Sequence, residues 1–188
     1  DIDFDPGQYV RIGVDGDAEI RDYSIYSGSN KPYLEVLLRR VEDGLVSKQL
    51  YDLKEGDRVM IGGPYGHFKL LKEIQDKPLL FIATGTGISP YRSFIESFDN
   101  LDYRLIHGTS YENEGYEKEI YGNRYFHCVS RENKGDYHGR VTDYVKSLSF
   151  NNKTNAFLCG NCDMIYDVFD LLQEKGLPTG QIHTEVYF

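Results

Sequence analysis

From residue 8 to about residue 69 the chain alternates apolar and polar positions in short runs, residues 9–14, 22–26, 33–40 and 58–62, separated by Gly, Asp, Asn and Pro. A period of two between turn residues predicts half-buried strands of an antiparallel barrel or sandwich. One short helix over 48–53 interrupts them, with Ser47 placed to cap its start and Lys54-Glu55-Gly56-Asp57 to end it. After Asp76 the pattern changes. Pro78-Leu79-Leu80-Phe81-Ile82-Ala83 is an unbroken apolar run, as expected of a parallel strand buried on both faces. Strands expected at 103–107, 125–129, 156–159 and 182–188 alternate with helices over 142–148 and 163–175, which reads as βαβ units. The change of pattern places a boundary near 73–77, and divides the chain into domains at 1–75 and 76–188.

Composition narrows the partners. Lys and Arg number 21 against 30 Asp and Glu, a net charge of -9, so a nucleic-acid backbone is a poor partner. No apolar run reaches the roughly 18 residues a membrane span needs. Three Cys make no disulfide framework and no leader pattern opens the chain, which points to a reducing cytoplasm. A structural zinc site wants four ligands, and neither a second Cys-x-x-Cys nor a His pair accompanies Cys159-Gly160-Asn161-Cys162; no metal is expected. A dithiol redox fold fares no better, because too little chain follows Cys162 to complete it. Cys128 and the five His read as core or surface residues.

The sharpest local signal is Gly85-Thr86-Gly87-Ile88-Ser89-Pro90, directly after the apolar strand. Two glycines let a backbone approach a pyrophosphate, Ser89 can cap a helix and Pro90 suits its first turn. Tyr91, Phe94, Ile95 and Phe98 then form one apolar stripe. Pro90 stands where the dinucleotide fingerprint has its third glycine, so the turn by itself is also compatible with a plain turn. Gly44-Leu45-Val46-Ser47 is a second candidate phosphate turn, and Arg21-Asp22-Tyr23-Ser24 sets a cation, a ring and a hydroxyl along one strand. Ser130-Arg131-Glu132 offers a hydroxyl and a guanidinium suited to a phosphate monoester. At the end, Glu185-Val186-Tyr187-Phe188 carries two large rings that need something to cover.

Taken in order, Arg-x-Tyr-Ser at 21–24, Gly-x-x-Ser at 44–47, Gly-Pro-x-Gly at 63–66, Gly-Thr-Gly-Ile-x-Pro at 85–90, Ser-Arg-Glu at 130–132, Cys-Gly-Asn-x-x-Met at 159–164 and the final Glu-x-Tyr-Phe resemble the ferredoxin-NADP reductase family over the whole chain. The stretch 34–53 and the ending are most similar to the bacterial ferredoxin or flavodoxin reductases. The resemblance implies a Greek-key antiparallel β-barrel that binds FAD, followed by an α/β doubly wound parallel-sheet domain that binds NADP or NAD. It implies that Tyr23 stacks on the isoalloxazine, that Ser24 hydrogen-bonds near its N5, and that Arg21 with Gly44, Val46 and Ser47 holds the flavin phosphates. Gly85, Thr86 and Gly87 then match the pyrophosphate loop. Cys159, Gly160 and Glu185 match the nicotinamide pocket, and Asn161 and Met164 complete that cofactor-binding motif. Ser130 and Arg131 match the holders of a 2′-phosphate, with Arg140 or Arg124 as helpers, and Tyr187 and Phe188 cover the far flavin face. Ser24, Cys159 and Glu185 are the expected catalytic set.

The implied reaction passes hydride from NADPH or NADH to FAD and single electrons on to ferredoxin, flavodoxin or a similar carrier. Two other readings stand beside it: a reductase component serving an oxygenase or haem partner, and a non-catalytic flavin-binding interaction module. Cys162 occupies a position where the family pattern has another residue, which leaves room for a redox pair with Cys159. Family members also carry chain ahead of the match at Pro6, so Asp1 is expected to lie within a longer protein.

Overall fold

Alternation in Tyr9–Val14 (β1) turns Val10 and Ile12 inward and leaves Arg11 outside, and the strand is flanked on both sides by antiparallel neighbours. These are Arg21–Ser24 (β2), which pairs Val10 with Tyr23 and Ile12 with Arg21, and Val59–Tyr65 (β3). The computed structural model describes residues 2–14 and 19–187, so the ending at Phe188 lies outside the described residues. Val10, Ile12 and Ile25 form a small core against which Phe4, Tyr23, Leu34, Val36 and Leu50 pack. Leu50 comes from an eight-residue helix, Leu45–Asp52 (α1).

Two expectations change here. Residues 33–40 do not form a strand; the segment bridges Ile25 to Val36 and accepts the Tyr26 amide at Glu35, but finds no other ladder neighbour among the described residues. Its apolar positions, Leu34 and Val36, still reach the core, so the alternation reported burial without pairing. Ser47 is not the N-cap of α1 either, because the helix starts three residues earlier than the pattern implied and Gly44 holds that position.

The second unit is a six-stranded parallel sheet, ordered β7-β6-β5-β4-β8-β9. Its strands are Leu79–Thr84 (β4), Tyr103–Thr109 (β5), Tyr125–Val129 (β6), Tyr137–His138 (β7), Asn155–Asn161 (β8) and Ile182–Tyr187 (β9). Phe81, Ile82, Leu105, Ile106, Phe157 and Leu158 are wholly buried, as unbroken apolar runs require when both faces are covered. Val141–Ser147 (α4) and Cys162–Glu174 (α5) supply Val145, Ile165, Val168 and Leu172 to one face; a single turn, Lys118–Tyr121 (α3), precedes β6. The chain runs outward from β4 through β5, β6 and β7, then returns to β8 and β9 on the other side. The order therefore reverses between β4 and β8, and in such sheets ligands bind outside the carboxyl ends of the strands at that reversal.

Grouping by contact does not follow the chain: Asp1–Leu70 with Ser89–Asp99 form one unit, Leu71–Ile88 with Asn100–Phe188 the other. The helix Ser89–Ser97 (α2) thus belongs with the antiparallel sheet. Its Tyr91 and Phe94 lie against Phe68, and Ser93 donates to the Ser27 carbonyl. Glu96 ties the helix down, accepting the Gly28 amide and pairing with Lys31 and Arg92 at 2.9 and 2.7 Å. Burial alone would raise this carboxyl, but Lys31, the Gly28 amide and Arg92 outweigh it and hold the group below its ordinary range.

Phe157 sits edge-on to Phe81 and stacks 4.4 Å from His183, with no exposed surface. Phe157→Ala is expected to cost about 3–5 kcal/mol, the usual range for emptying so large a buried site. Urea unfolding of the variant checks this, and a loss well under that range would show that the sheet collapses to fill the space.

Candidate functional site

At the carboxyl end of β4 the chain tightens into a 3-10 turn, Gly85–Ile88, that runs directly into α2. Ser89 is therefore inside helical structure rather than capping it, because the turn begins at Gly85. Gly85 adopts φ +54°, and a Cβ placed there would meet nothing within 4 Å, so the loop presents open space on that side. Gly87 is constrained in the opposite way: a Cβ would lie 2.4 Å from the Cys159 carbonyl oxygen and 2.8 Å from Gly160 Cα. Gly160, at φ +126°, would in turn drive a Cβ to 2.4 Å from Thr84 Oγ1. The two glycines let the loop lie against the end of β8, across the reversal of the sheet. Thr84 Oγ1 then accepts the Asn161 amide at 2.9 Å.

Asn161 is the N-cap of α5: its side-chain oxygen accepts the Met164 amide at 3.2 Å. That gives Asn161 and Met164 a shared local role at the rim of the loop. Cys159, one step earlier, is fully buried and lies in register with Glu185 of β9, with Sγ 4.0 Å from the Glu185 carboxylate. Burial first, and the Glu185 charge second, push the thiol well above its ordinary range, while a Tyr187 side-chain hydrogen bond pulls the other way. Cys159 is thus a neutral thiol. Cys162 lies one turn along, partly exposed, and all three Cys are free.

Further along the same sheet edge, Ser130 donates to the Thr109 carbonyl and the Arg131 amide to Ser110, which carries both side chains just past β6. Arg131 is exposed, its guanidinium 6.0 Å from the Tyr111 ring. Arg140 precedes α4. Arg124 is at the other edge, donating to Leu101 and lying over Tyr103 where β5 begins, so it cannot assist a ligand at the carboxyl ends.

In the antiparallel unit, Arg21 and Tyr23 are alternate residues of β2 and share a face. Tyr23 is half-buried; burial raises its hydroxyl above the ordinary value and the Arg21 charge partly offsets this. Arg21 pairs with Glu19 at 3.1 Å on the surface, and Ser24 is buried. The start of α1 has no acidic residue in its first turn and no side chain capping it among the described residues. Ser47 instead accepts the Val41 amide and donates to the Gly44 carbonyl, and a Cβ on Gly44 would approach Ser47 Oγ to 2.6 Å. An uncapped helix start, a guanidinium, a half-buried ring and a buried hydroxyl fit a flavin nucleotide's phosphates and ring system.

Sequence reasoning missed one group. The pattern reads His107 as a core or surface residue; it is a core residue, and what the pattern does not show is that its Nε2 lies 2.8 Å from the Gly85 carbonyl. Its position at the carboxyl end of a strand adjoining the glycine loop is the signal that marks it.

These two sites, on an antiparallel sheet and at the reversal of a parallel one, define an oxidoreductase with an FAD-binding and an NAD-binding domain. Residues 1–70 match the oxidoreductase FAD-binding domain family and residues 81–170 the oxidoreductase NAD-binding domain family. The chain belongs to the ferredoxin/flavodoxin-NADP reductase family: it is 33% identical to a flavodoxin/ferredoxin-NADP reductase of Shigella flexneri, over 88% of this chain and 77% of that one. It is 30% identical to the toluate 1,2-dioxygenase electron transfer component of Pseudomonas putida, over 98% of this chain but only 59% of the relative's length. Among solved structures, a cytochrome P450 reductase of Amycolatopsis superposes with a TM-score of 0.86 at 27% identity, over 97% of this chain and 61% of that one. No helix among the described residues is long and apolar enough to cross a membrane.

The thiols give one testable outcome. Iodoacetamide on the native protein is expected to modify Cys162 quickly and to spare Cys159 and Cys128, both buried, the latter pushed up to about 12 by burial. Peptide mass mapping reads this out, and fast labelling of Cys159 would contradict its buried, neutral state. A second outcome concerns acid. Burial lowers His107 and His127 from 6.5 to about 4, so between those values the unfolded chain binds more protons and stability falls as pH drops. Urea midpoints measured from pH 7 to 4 should decline through that window, less steeply in His107→Gln; a flat profile would show that the folded state takes up these protons freely.

Proposed function

We propose that the chain transfers hydride from NADPH or NADH to FAD and delivers electrons singly to ferredoxin, flavodoxin or a similar carrier. The observation that carries this is the loop Gly85–Ile88 laid across the sheet reversal beside the Cys159–Glu185 pair. Gly85, Thr86 and Gly87 hold the nucleotide pyrophosphate, and Ser130 with Arg131 holds the adenosine end, including a 2′-phosphate where one is present. Cys159, Gly160 and Glu185 line the nicotinamide pocket, with Asn161 and Met164 fixing its rim. The neutral thiol excludes water there without adding charge, and the carboxylate of Glu185 supplies an acceptor for a substrate amide. In the proposed flavin domain, residues 1–75, Tyr23 covers one ring face, Ser24 donates near N5, and Arg21 with Gly44, Val46 and Ser47 takes the phosphates. Tyr187 covers the opposite face, in a resting state where its ring stands in for the nicotinamide. When bound, FAD supplies the conversion of one two-electron step into two one-electron steps. Residues 76–188 form the nucleotide domain, and a cytoplasmic location fits all of this.

A second reading, in which the electrons pass to an oxygenase or haem partner, is favoured by the match of almost the whole chain to the toluate dioxygenase component and the P450 reductase. A non-catalytic flavin module has no use for Ser24, Cys159 and Glu185 together. Purified protein is expected to be yellow and to bleach under anaerobic NADPH or NADH, with the faster nucleotide naming the preference. Colourless protein that takes up no FAD would sink the proposal, and reduction assays with ferredoxin, flavodoxin and an oxygenase component would separate the two acceptor classes.

A further inference from the structure

Parallel register aligns Ala83 of β4, His107 of β5 and His127 of β6 in one row across the sheet. The His107 ring is sealed from solvent and makes two contacts of 2.8 Å: Nδ1 with the Tyr125 hydroxyl and Nε2 with the Gly85 carbonyl. A carbonyl only accepts, so Nε2 carries the proton. Burial, His127 stacked 5.9 Å away and the Lys118 charge all oppose a second proton on this ring, while the Gly85 bond alone favours it. Nδ1 is therefore bare and must accept, which makes Tyr125 the donor. The result is a one-way chain, Tyr125 O–H to Nδ1, then Nε2–H to the oxygen of Gly85.

That oxygen belongs to the first residue of the phosphate loop, a glycine in the left-handed region that side-chain-bearing residues rarely adopt. The peptide unit is planar, so the orientation of the Gly85 carbonyl is the orientation of the whole Gly85–Thr86 peptide. Drawn inward, the carbonyl dipole points its negative end away from the loop mouth. Released, the same peptide can turn that oxygen toward a bound anion.

We propose that His107, fixed in its Nε2–H tautomer by Tyr125, is a positioning residue that locks the Gly85–Thr86 peptide for binding the pyrophosphate of the nicotinamide dinucleotide. The inference rests on the reading of Gly85–Gly87 as the phosphate loop. His107 touches no reacting atom, and its effect is on binding rather than on hydride transfer. Tyr125 acts only through the imidazole.

The test uses the FAD-loaded protein and His107→Leu, His107→Gln, Tyr125→Phe and the double variant Tyr125→Phe with His107→Leu. Steady-state NADPH and NADH oxidation with ferricyanide gives KM and kcat, and inhibition by ADP and by adenosine separates phosphate from nucleoside binding. His107→Leu is expected to raise KM and the ADP inhibition constant about tenfold, the worth of one well-made hydrogen bond, with kcat and adenosine inhibition unchanged. His107→Gln, which keeps an N–H donor, should recover most of the loss. Tyr125→Phe should raise KM about threefold alone and add nothing in the His107→Leu background. Additive effects of the two changes, equal losses for ADP and adenosine, or an unchanged KM in soluble His107→Leu would overturn the proposal while leaving the phosphate-loop reading intact. Wild-type protein that binds neither ADP nor either dinucleotide would overturn both. If His107→Leu does not fold, Tyr125→Phe keeps the imidazole in place and decides the matter by whether KM rises with kcat unchanged.

Discussion

The close approach of the Gly85–Ile88 turn to the end of β8 is the constraint on which the nucleotide half depends. A methyl group on Gly87 would overlap the Cys159 carbonyl, and one on Gly160 would overlap Thr84, so the contact exists only because both residues lack a side chain. Those contacts bring the carboxyl ends of β4 and β8 together at the reversal of strand order. The rest of the rim follows from it: Asn161 is carried to where its amide meets Thr84 and its side chain caps α5, and Cys159 is set in register with Glu185. Loosening the glycine contact would therefore disturb the Gly85–Ile88 turn, the α5 cap and the Cys159–Glu185 register at once.

A second regularity is that buried titratable groups around this edge are kept neutral, with burial as the leading cause each time. Cys159 and Cys128 are held as thiols, and His107 and His127 as uncharged imidazoles. A neutral imidazole has one donor and one acceptor, so burial gives these rings a direction as well as removing charge. His107 spends its donor on the loop after β4. His127 donates through Nε2 to the Thr109 hydroxyl, which itself donates to the Tyr111 carbonyl in the loop after β5. Adjacent strands thus use the same device to fasten successive loops on the ligand edge.

Much of this was legible in the chain. The unbroken apolar run of β4, the alternation of strands and helices after it, and the glycine turn between β4 and α2 were all readable, because burial on both faces and a backbone free of Cβ leave direct marks on residue type. Partnering was not. Residues 33–40 alternate like a strand and bury Leu34 and Val36, but alternation reports which side faces the core, not whether a neighbour offers hydrogen bonds. Helix starts were misplaced for a related reason. Ser47 and Ser89 look like caps, yet Gly44 holds the cap position of α1, Gly85 begins the turn before α2, and the Ser47 hydroxyl serves the Val41 amide instead.

His107 was hidden by the same limit. Nothing in its local sequence separates it from a core histidine, since its meaning comes from the register that sets β5 beside β4 and from the direction of a single carbonyl. Asn161 shows the converse. The resemblance marks it as a cofactor position, and the geometry shows what fixes it there: a cap for α5 that turns the helix start toward the glycine loop. Residue type announces burial and backbone freedom; the donor and acceptor sense of a buried polar group is decided only when strand order brings its partner alongside. For a nucleotide site built at a sheet reversal, that sense separates a loop that merely reaches the ligand from one already shaped to hold it.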